Sequence, residues 1–557
     1  MKKYIFSLFL IFAAISLNAQ SKDKIYVIKL KDKGEYYTLS DPSKYLSDRA
    51  IERRLLQQIP LNQTDLPVNP EYITQIKSAG GFIIYTSKWL NTVIIRLDDQ
   101  NSLHKLQEMD FITSIYNSSV LDVKRNQKPF KRFFQQEKYE KINTTNSKSI
   151  NIGLNYGPSA NQAQMIKIDQ LHNQGYTGEG VVIAVIDAGF NSANTMDVFD
   201  SLFLSNRVLG TRDFVQPGNN VFDGSLSVHG TMVLSTMAGN LPGQIIGTAP
   251  HASYYLFRSE DATAEYLMEE YYWVNAAEYA DSLGVDVINT SLGYTRFDNP
   301  AEDHTYEDMD GNTTPITIGA DLAAKKGMLV INSAGNEGAN VWHYISAPAD
   351  GDSVMAVGAV DPEGNYAYFS SVGPTFDGRI KPDVATQGYN AIVATIPSGI
   401  AMASGTSFSS PILTGAAACL WQANPTYNNM EIYNAIKQSA SQASNPDNLL
   451  GWGIPDFLVA NSLLVGNIDK INYSQDIKCY PNPFNDYLIA DFFLSSKMET
   501  EIRLINSQGK VIQNVKSHVL DPGKNHIKFD KLQMLPKGIY FIKIISGGSV
   551  MTQKVIK

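Results

Sequence analysis

The rhythm of apolar and polar positions changes along the chain, and each change marks a new kind of element. Tyr4 to Leu17 is almost wholly apolar, too short for a membrane span, which needs about 20 such residues. From Lys24 to about Val123 short β-branched runs alternate with charged helical stretches. Ile25 to Leu30, Phe82 to Tyr85, Thr92 to Leu97 and Ile112 to Tyr116 are predicted strands; Tyr45 to Gln58, Pro70 to Ala79 and Ser102 to Met109 are predicted helices. From about Asn155 to Leu464 the pattern is βα alternation. Val181 to Ile186, Val285 to Ile288, Met328 to Ile331 and Val354 to Val357 are nearly continuous apolar runs, with helices at Glu265 to Leu283 and Gly319 to Lys326 between them. Strands apolar on both faces belong to a parallel sheet covered by helices, so a doubly wound α/β domain is expected. After about Asp469 short alternating runs take over: Tyr487 to Ala490, Glu501 to Ile505, Lys510 to Ile512, His526 to Phe529 and Gly538 to Ile544. Gln508-Gly509 and Gly547-Gly548 are turn signals, and the tail is expected to be a small all-β sandwich.

Composition narrows the picture. With 557 residues, 43% of them apolar and 18% charged, the chain is long enough for about three to four domains and too apolar to be disordered. A net charge of -9 disfavours nucleic acid as a partner, because phosphate binding needs a basic face. Two cysteines, Cys419 and Cys479, are too few for a disulfide framework or a four-cysteine zinc site. Lys2 and Lys3 before the first apolar run, and Leu17-Asn18-Ala19 after it, form a signal-peptide pattern with cleavage before Gln20. An uncleaved anchor is the alternative. No later run is long enough to span a bilayer. Residues 124–154 hold Lys124, Arg125, Lys128, Lys131 and Arg132 and then a stretch rich in Asn, Ser and Lys, a linker composition open to proteases. The expected organisation is a signal peptide at 1–19, a small α/β domain at 20–123, a linker at 124–154, the large α/β domain at 155–468 and the all-β domain at 469–557.

Open α/β sheets gather their chemistry at the carboxyl ends of the strands. Here the first strand runs into Asp187-Ala188-Gly189, another into Asn289-Thr290-Ser291-Leu292-Gly293, and a third into Asn332-Ser333-Ala334-Gly335-Asn336. His229-Gly230-Thr231 opens one apolar helix and Gly405-Thr406-Ser407 another, with Pro411 expected in the latter's first turn. A serine hydroxyl becomes a nucleophile when imidazole takes its proton, and a carboxylate fixes the imidazole tautomer. Ser407, His229 and Asp187 are the candidates for these roles. A helix N-terminus at Ser407 and the Asn336 amide are candidate oxyanion donors. Each residue alone also reads as a cap, a turn or a buried polar group; the case rests on all of them together.

Together these segments resemble the subtilases, the subtilisin-like serine proteases. The likeness lies in Val185 to Phe190, His229 to Gly239, Ala334 to Gly338 and Gly405 to Pro411, in that order over about 300 residues. A lipase-type G-x-S-x-G is absent, since Ser409 stands two residues after Ser407. The resemblance implies endopeptidase activity through an acyl-enzyme, with no cofactor for the chemistry. It implies that substrate pairs as a strand with Ser291, Leu292 and Gly293, and that Ala334 and Gly335 line the pocket for the residue before the cut bond. Met232, Leu234-Ser235, Phe408 and Ser409-Ser410 depart from the usual family residues without removing a catalytic group. The 20–123 domain resembles a subtilase propeptide in position and pattern. Cys479 to Asp486, Asn506 to Lys510, Leu535 to Tyr540 and Lys554 to Lys557 resemble a type IX secretion sorting domain, which implies a secretion-machinery partner, Gram-negative outer-membrane export and release or surface attachment. Asp303, Glu307, Asp308 and Asp310, with Gly311 and Asn312, form an acidic loop. The subtilase resemblance brings structural calcium into question, but the spacing is not that of an EF-hand and no ligand is assigned. The rival readings are a catalytically silent subtilase-like adhesion protein, which would normally lack one of the four site residues, and a serine esterase, which would not cut protein.

Overall fold

The computed structural model describes residues 24–97, 99–118, 138–141, 154–396, 399–465, 477–494, 498–506, 509–520, 523–546 and 549–557. The expected signal peptide and most of the expected linker lie outside the described residues. Two compact units are present, one built on the described residues up to Gln422 with Asn429–Phe457, the other on Ala423–Asn428 with Leu458–Lys557.

The first unit begins with a four-stranded antiparallel sheet, in the order Phe82–Ser87, Thr92–Leu97, Lys24–Leu30, Ile112–Ser118. Side chains alternate across a strand, and here both faces find cover. Tyr26, Ile28, Leu30, Val93 and Ile95 pack with Ile76 and Leu106 of the helices Pro70–Ser78 and Gln100–Gln107. Val27 and Ile94 point the other way, into a core shared with Met268 and Trp273 of the helix Leu267–Leu283. That double burial explains why Ile25 to Leu30 reads as an apolar run on a sheet that would otherwise show one wet face. The helix expected from Tyr45 to Gln58 is shorter, Asp48–Leu56, and starts where the Ser47 hydroxyl accepts from the Ala50 N–H.

The larger part of the same unit is a seven-stranded parallel sheet. Its order is Val384–Gln387, Val354–Val360, Leu329–Ser333, Val287–Thr290, Val182–Asp187, Ser253–Arg258, Val208–Asp213. The expected apolar runs all lie in this sheet. Ser253–Arg258 and Val208–Asp213 were not singled out from the sequence: the first mixes aromatic and polar residues, and the second is an edge strand in which only Asp213 is buried. The helix expected at Gly319 starts earlier, at Pro315, because Thr314 caps it by accepting from Thr317 N–H. In the second unit the helix Phe457–Val465 leads, among the described residues, into strands alone from Lys478 on. A three-stranded sheet, Lys478–Tyr480, Leu488–Leu494 and Gly523–Phe529, and a four-stranded sheet, Val511–Leu520, Met498–Asn506, Ile539–Ser546 and Ser549–Ile556, enclose a core with Leu488, Phe492, Leu504, Phe529 and Ile542. No helix among the described residues is long and apolar enough to cross a membrane.

Candidate active site

The carboxyl ends of the central strands converge on one place. Asp187 is the last residue of Val182–Asp187, His229 the first of the helix His229–Ala238, and Ser407 the second of the helix Thr406–Ala423. His229 Nδ1 lies 2.8 Å from Asp187 Oδ1, which also accepts the Ala188 N–H at 2.7 Å. A carboxylate only accepts, so Nδ1 carries the proton and Nε2 is left as the base. The approach needs Gly230: a side chain there would start 2.4 Å from the Gly189 carbonyl oxygen. Asp187, His229 and Ser407 are all buried in this chain.

Ser407 is set by three neighbours. Asn336 Oδ1 accepts both the Thr406 N–H at 2.8 Å and the Thr406 hydroxyl at 2.9 Å. That spends the oxygen end of the amide on the turn before Ser407. Phe408 is fully buried, with its ring centroid 6.2 Å from the His229 ring. The third neighbour follows from Pro411. The helix begins at Thr406, so Pro411 falls in its second turn, not the first as expected. A proline there has no N–H for the carbonyl four residues back, that of Ser407. The Ser291 hydroxyl donates to that carbonyl at 3.0 Å and satisfies it. Ser291, expected from the sequence as a substrate-pairing residue, thus braces Ser407. Among the described residues Ser407 Oγ makes no hydrogen bond, so its link to the imidazole is not formed here.

Leu292, Gly293, Ala334 and Gly335 lie on the loops that follow two adjacent strands, Val287–Thr290 and Leu329–Ser333. Asn332 joins the loops by donating to the Leu292 carbonyl at 3.2 Å. Gly335 has φ of +120°, where a side chain is strained, and its Cβ would sit 2.6 Å from Ser371 Oγ and 3.3 Å from Ser346 Oγ. Asn332 Oδ1, Ser333 Oγ and Ser346 Oγ are buried around this segment without a hydrogen-bond partner. Such groups are costly and call for a ligand or a water.

Sequence reading missed Glu260 and its neighbours. Ser259 N–H donates to the Asp187 carbonyl, and Glu260 takes the hydroxyls of Ser259 and Tyr294 at 2.7 and 2.5 Å. Burial, with Asp187 nearby, pushes the Glu260 carboxyl up to about 7, and burial raises that of Glu269 well above the usual range. Glu260, Glu265 and Glu269 each bring an oxygen within 4.8 Å of the others. The only sequence signal was three acidic residues at the start of an expected helix. The acidic loop behaves differently. Asp303 accepts from Phe297 N–H, Asp308 from Thr305 N–H and hydroxyl, and Asp310 from Asn312 N–H and the Thr313 hydroxyl, so these carboxylates serve their own turns.

Comparison with known proteins places each region. Residues 178–453 match the subtilase family, residues 25–132 the peptidase S8 propeptide domain of Bacteroidota, and residues 478–557 a secretion system C-terminal sorting domain. Subtilisin NAT of Bacillus subtilis subsp. natto is 34% identical over 284 residues, which is 50% of this chain and 65% of that protein. Subtilisin E of Bacillus subtilis (strain 168) gives the same figures. Subtilisin of Bacillus pumilus is 34% identical over 280 residues, 50% of this chain and 89% of its own. This chain therefore spans less than two thirds of the length of the first two relatives and about nine tenths of the third.

Proposed function

Because the chain belongs to the subtilase family, we propose that it is a secreted serine endopeptidase, made as a precursor, that cuts protein or peptide substrates through an acyl-enzyme on Ser407. The observation that carries the reading is the 2.8 Å contact of His229 Nδ1 with Asp187 beside an Asn336 pinned to the residue before Ser407. Catalytic hydrogen bonds often tighten only when substrate binds. Rotation of the Ser407 hydroxyl toward Nε2 then completes the relay.

The steps follow from these positions. Nε2 takes the hydroxyl proton as Oγ attacks the substrate carbonyl carbon. Asp187 stabilises the imidazolium and keeps its ring oriented. The oxyanion forms at the helix N-terminus beside the Ser407 N–H, where the dipole is positive, with the Asn336 NH₂ as a second donor. The protonated imidazole then gives its proton to the leaving amine, and water releases the acyl group by the reverse relay. Substrate lies as a strand against Ser291, Leu292 and Gly293, and the residue before the cut bond enters beside Ala334 and Gly335. No step needs a cofactor. The C-terminal unit delivers the enzyme to a secretion machinery that releases it or leaves it on the surface.

The test is to express the chain from Gln20 and follow casein hydrolysis, with Ser407→Ala in parallel. Hydrolysis by the first and none by the second is expected. Equal hydrolysis by both would assign the activity to a contaminant and end the proposal.

A further inference from the structure

The segment Ser291-Leu292-Gly293 is tied down at its start, where the Ser291 hydroxyl donates to the Ser407 carbonyl, and in its middle, where Asn332 donates to the Leu292 carbonyl. Its far end is held by a different device. Tyr294, the next residue, is buried. Its N–H donates to the Ala347 carbonyl at 2.9 Å, and its hydroxyl donates to Glu260 Oε1 at 2.5 Å. The same carboxylate oxygen accepts the Ser259 hydroxyl at 2.7 Å, and the Ser259 N–H donates to the Asp187 carbonyl at 3.0 Å. One carboxylate therefore links the end of the segment to the backbone of Asp187.

Glu260 is itself fixed from behind. Its carbonyl accepts Arg258 Nε at 3.0 Å, and Arg258 Nη1 pairs with Asp213 Oδ2 at 2.8 Å. Arg258 lies opposite Asp187 on one side and Asp213 on the other, at the carboxyl ends of three adjoining parallel strands. Packing alone does not account for an acid here. Burial disfavours the charge of Glu260, and Asp187 adds to the penalty. An apolar side chain would escape both. What it could not do is accept two hydroxyls at once.

Place along the segment decides which substrates feel this link. Extended chain advances about 3.3 Å per residue, so Tyr294 lies about 10 Å further along than Ser291. A substrate strand paired with the segment reaches that end only through residues three or four before the cut bond. Resting on the peptidase reading and its substrate strand, we propose that Glu260 is a positioning residue: by tying Tyr294 to Ser259 it sets the far end of the Ser291-Leu292-Gly293 segment relative to Asp187, and so aligns peptides that extend several residues before the cut bond. It touches neither substrate nor reacting atoms, and its effect grows with the length of the peptide.

The experiment uses the casein-active enzyme and two substrates that share the residue most often found before the cut in casein fragments: a four-residue p-nitroanilide and a one-residue ethyl ester. Tyr294→Phe keeps the ring stacked on Phe297, with centroids 6.0 Å apart, and removes only the hydroxyl. Glu260→Leu removes the acceptor; Glu260→Gln keeps it. In Tyr294→Phe and in Glu260→Leu the ratio of kcat/KM on the peptide to that on the ester should fall about 5–20-fold, the scale of a single hydrogen bond. Glu260→Gln should hold the ratio within about threefold of the parent, and adding Tyr294→Phe to Glu260→Leu should lower it no further. Equal losses on the two substrates would mean that Glu260 acts on the relay through Asp187. An unchanged ratio in both variants would mean that the link does not align the peptide. A Gln variant as impaired as the Leu variant would mean that charge matters and the acceptor does not. Each of these overturns the inference and leaves the peptidase reading standing, whereas a parent that hydrolyses no casein overturns both.

Discussion

The catalytic cleft and the face where the propeptide-like domain meets the Leu267–Leu283 helix are both buried and polar, but they are finished to different degrees. On the helix face every carboxylate oxygen has donors. Asp281 takes Arg53 at 2.5 Å, Arg54 at 2.6 Å and Lys88 at 3.1 Å. Glu278 takes the Ser87 hydroxyl and the N–H groups of Lys88 and Trp89. Asp65 takes Arg54 and Lys326. In the cleft, Asp187 Oδ2, Ser407 Oγ, Ser333 Oγ and Ser346 Oγ lack partners. A buried polar group without a partner costs about 1–3 kcal/mol. At the site that cost falls on a carboxylate oxygen and hydroxyls, whereas on the helix face it falls on N–H groups of Arg53, Arg54 and Trp89 while every carboxylate oxygen is satisfied.

Breaking the cleft should therefore cost chemistry and little stability. Ser407→Ala is expected to lower kcat by about 10⁶, the scale seen when such a triad loses its nucleophile, with the melting temperature nearly unchanged. A residual rate within tenfold of the parent would separate Ser407 from the reaction. Asn336→Leu should lower kcat by about 10²–10³ with KM little changed, the signature of an oxyanion donor. An effect confined to KM would move Asn336 out of that role.

Breaking the helix face should do the reverse. Asp281→Asn removes the partner of three buried cations, and breaking such a pair costs about 3–5 kcal/mol. After the first cut the propeptide should leave sooner, shortening the lag before casein activity while kcat of the matured enzyme stays the same. The Asp281 carboxyl is held well below the usual range by Lys88, Arg54 and Arg53, which outweigh burial. A depressed carboxyl stabilises above its unfolded value near 4 and loses that contribution as the pH falls below it. In the Asn variant the lag should lose that acid sensitivity. An unaltered lag would show that the charges on this face are not what holds the two domains together.

The residues that meet at the candidate site were more legible in the sequence than the contacts that support them. Asp187, His229, Asn336 and Ser407 stand at strand ends and helix starts, which apolar periodicity locates well, and each lies beside small residues that leave few alternatives. The bracing of Ser407 by Ser291 was not legible, because it depends on Pro411 freeing a carbonyl in the second turn. Nor was the helix face: Asp281, Glu278 and Lys88 look like ordinary solvated charges until the register of a separate sheet sets Lys88 and Ser87 over them.

A smaller effect is expected behind Asp187. The Glu260 carboxyl is raised to about 7 by burial, against the hydroxyls of Tyr294 and Ser259, which pull it down. A raised carboxyl leaves stability intact below the unfolded value near 4 and lets it drain as the pH rises to about 7. Glu260→Gln should therefore stabilise the peptidase domain by on the order of 1–3 kcal/mol at pH 8 and by nothing measurable at pH 4. Thermal melts at the two pH values decide it, and equal shifts at both would mean that the gain is packing and not charge.

The smallest expected effect is an absence of change at the cleft wall. Phe408 follows Ser407, and its ring lies 6.2 Å from the His229 ring. A thioether at that position would become a polar sulfoxide under peroxide and swell beside the imidazole. A phenyl ring has no such route, and Met232, the methionine on the histidine helix, is 5% exposed. Mild peroxide should therefore leave activity within about twofold, while Phe408→Met should lose most of its activity under the same treatment. If the parent is inactivated as fast as the variant, with oxidation mapped to Met232, then the wall of the cleft opens more than its packing implies, and the contrast with the sealed helix face is dynamic as well as electrostatic.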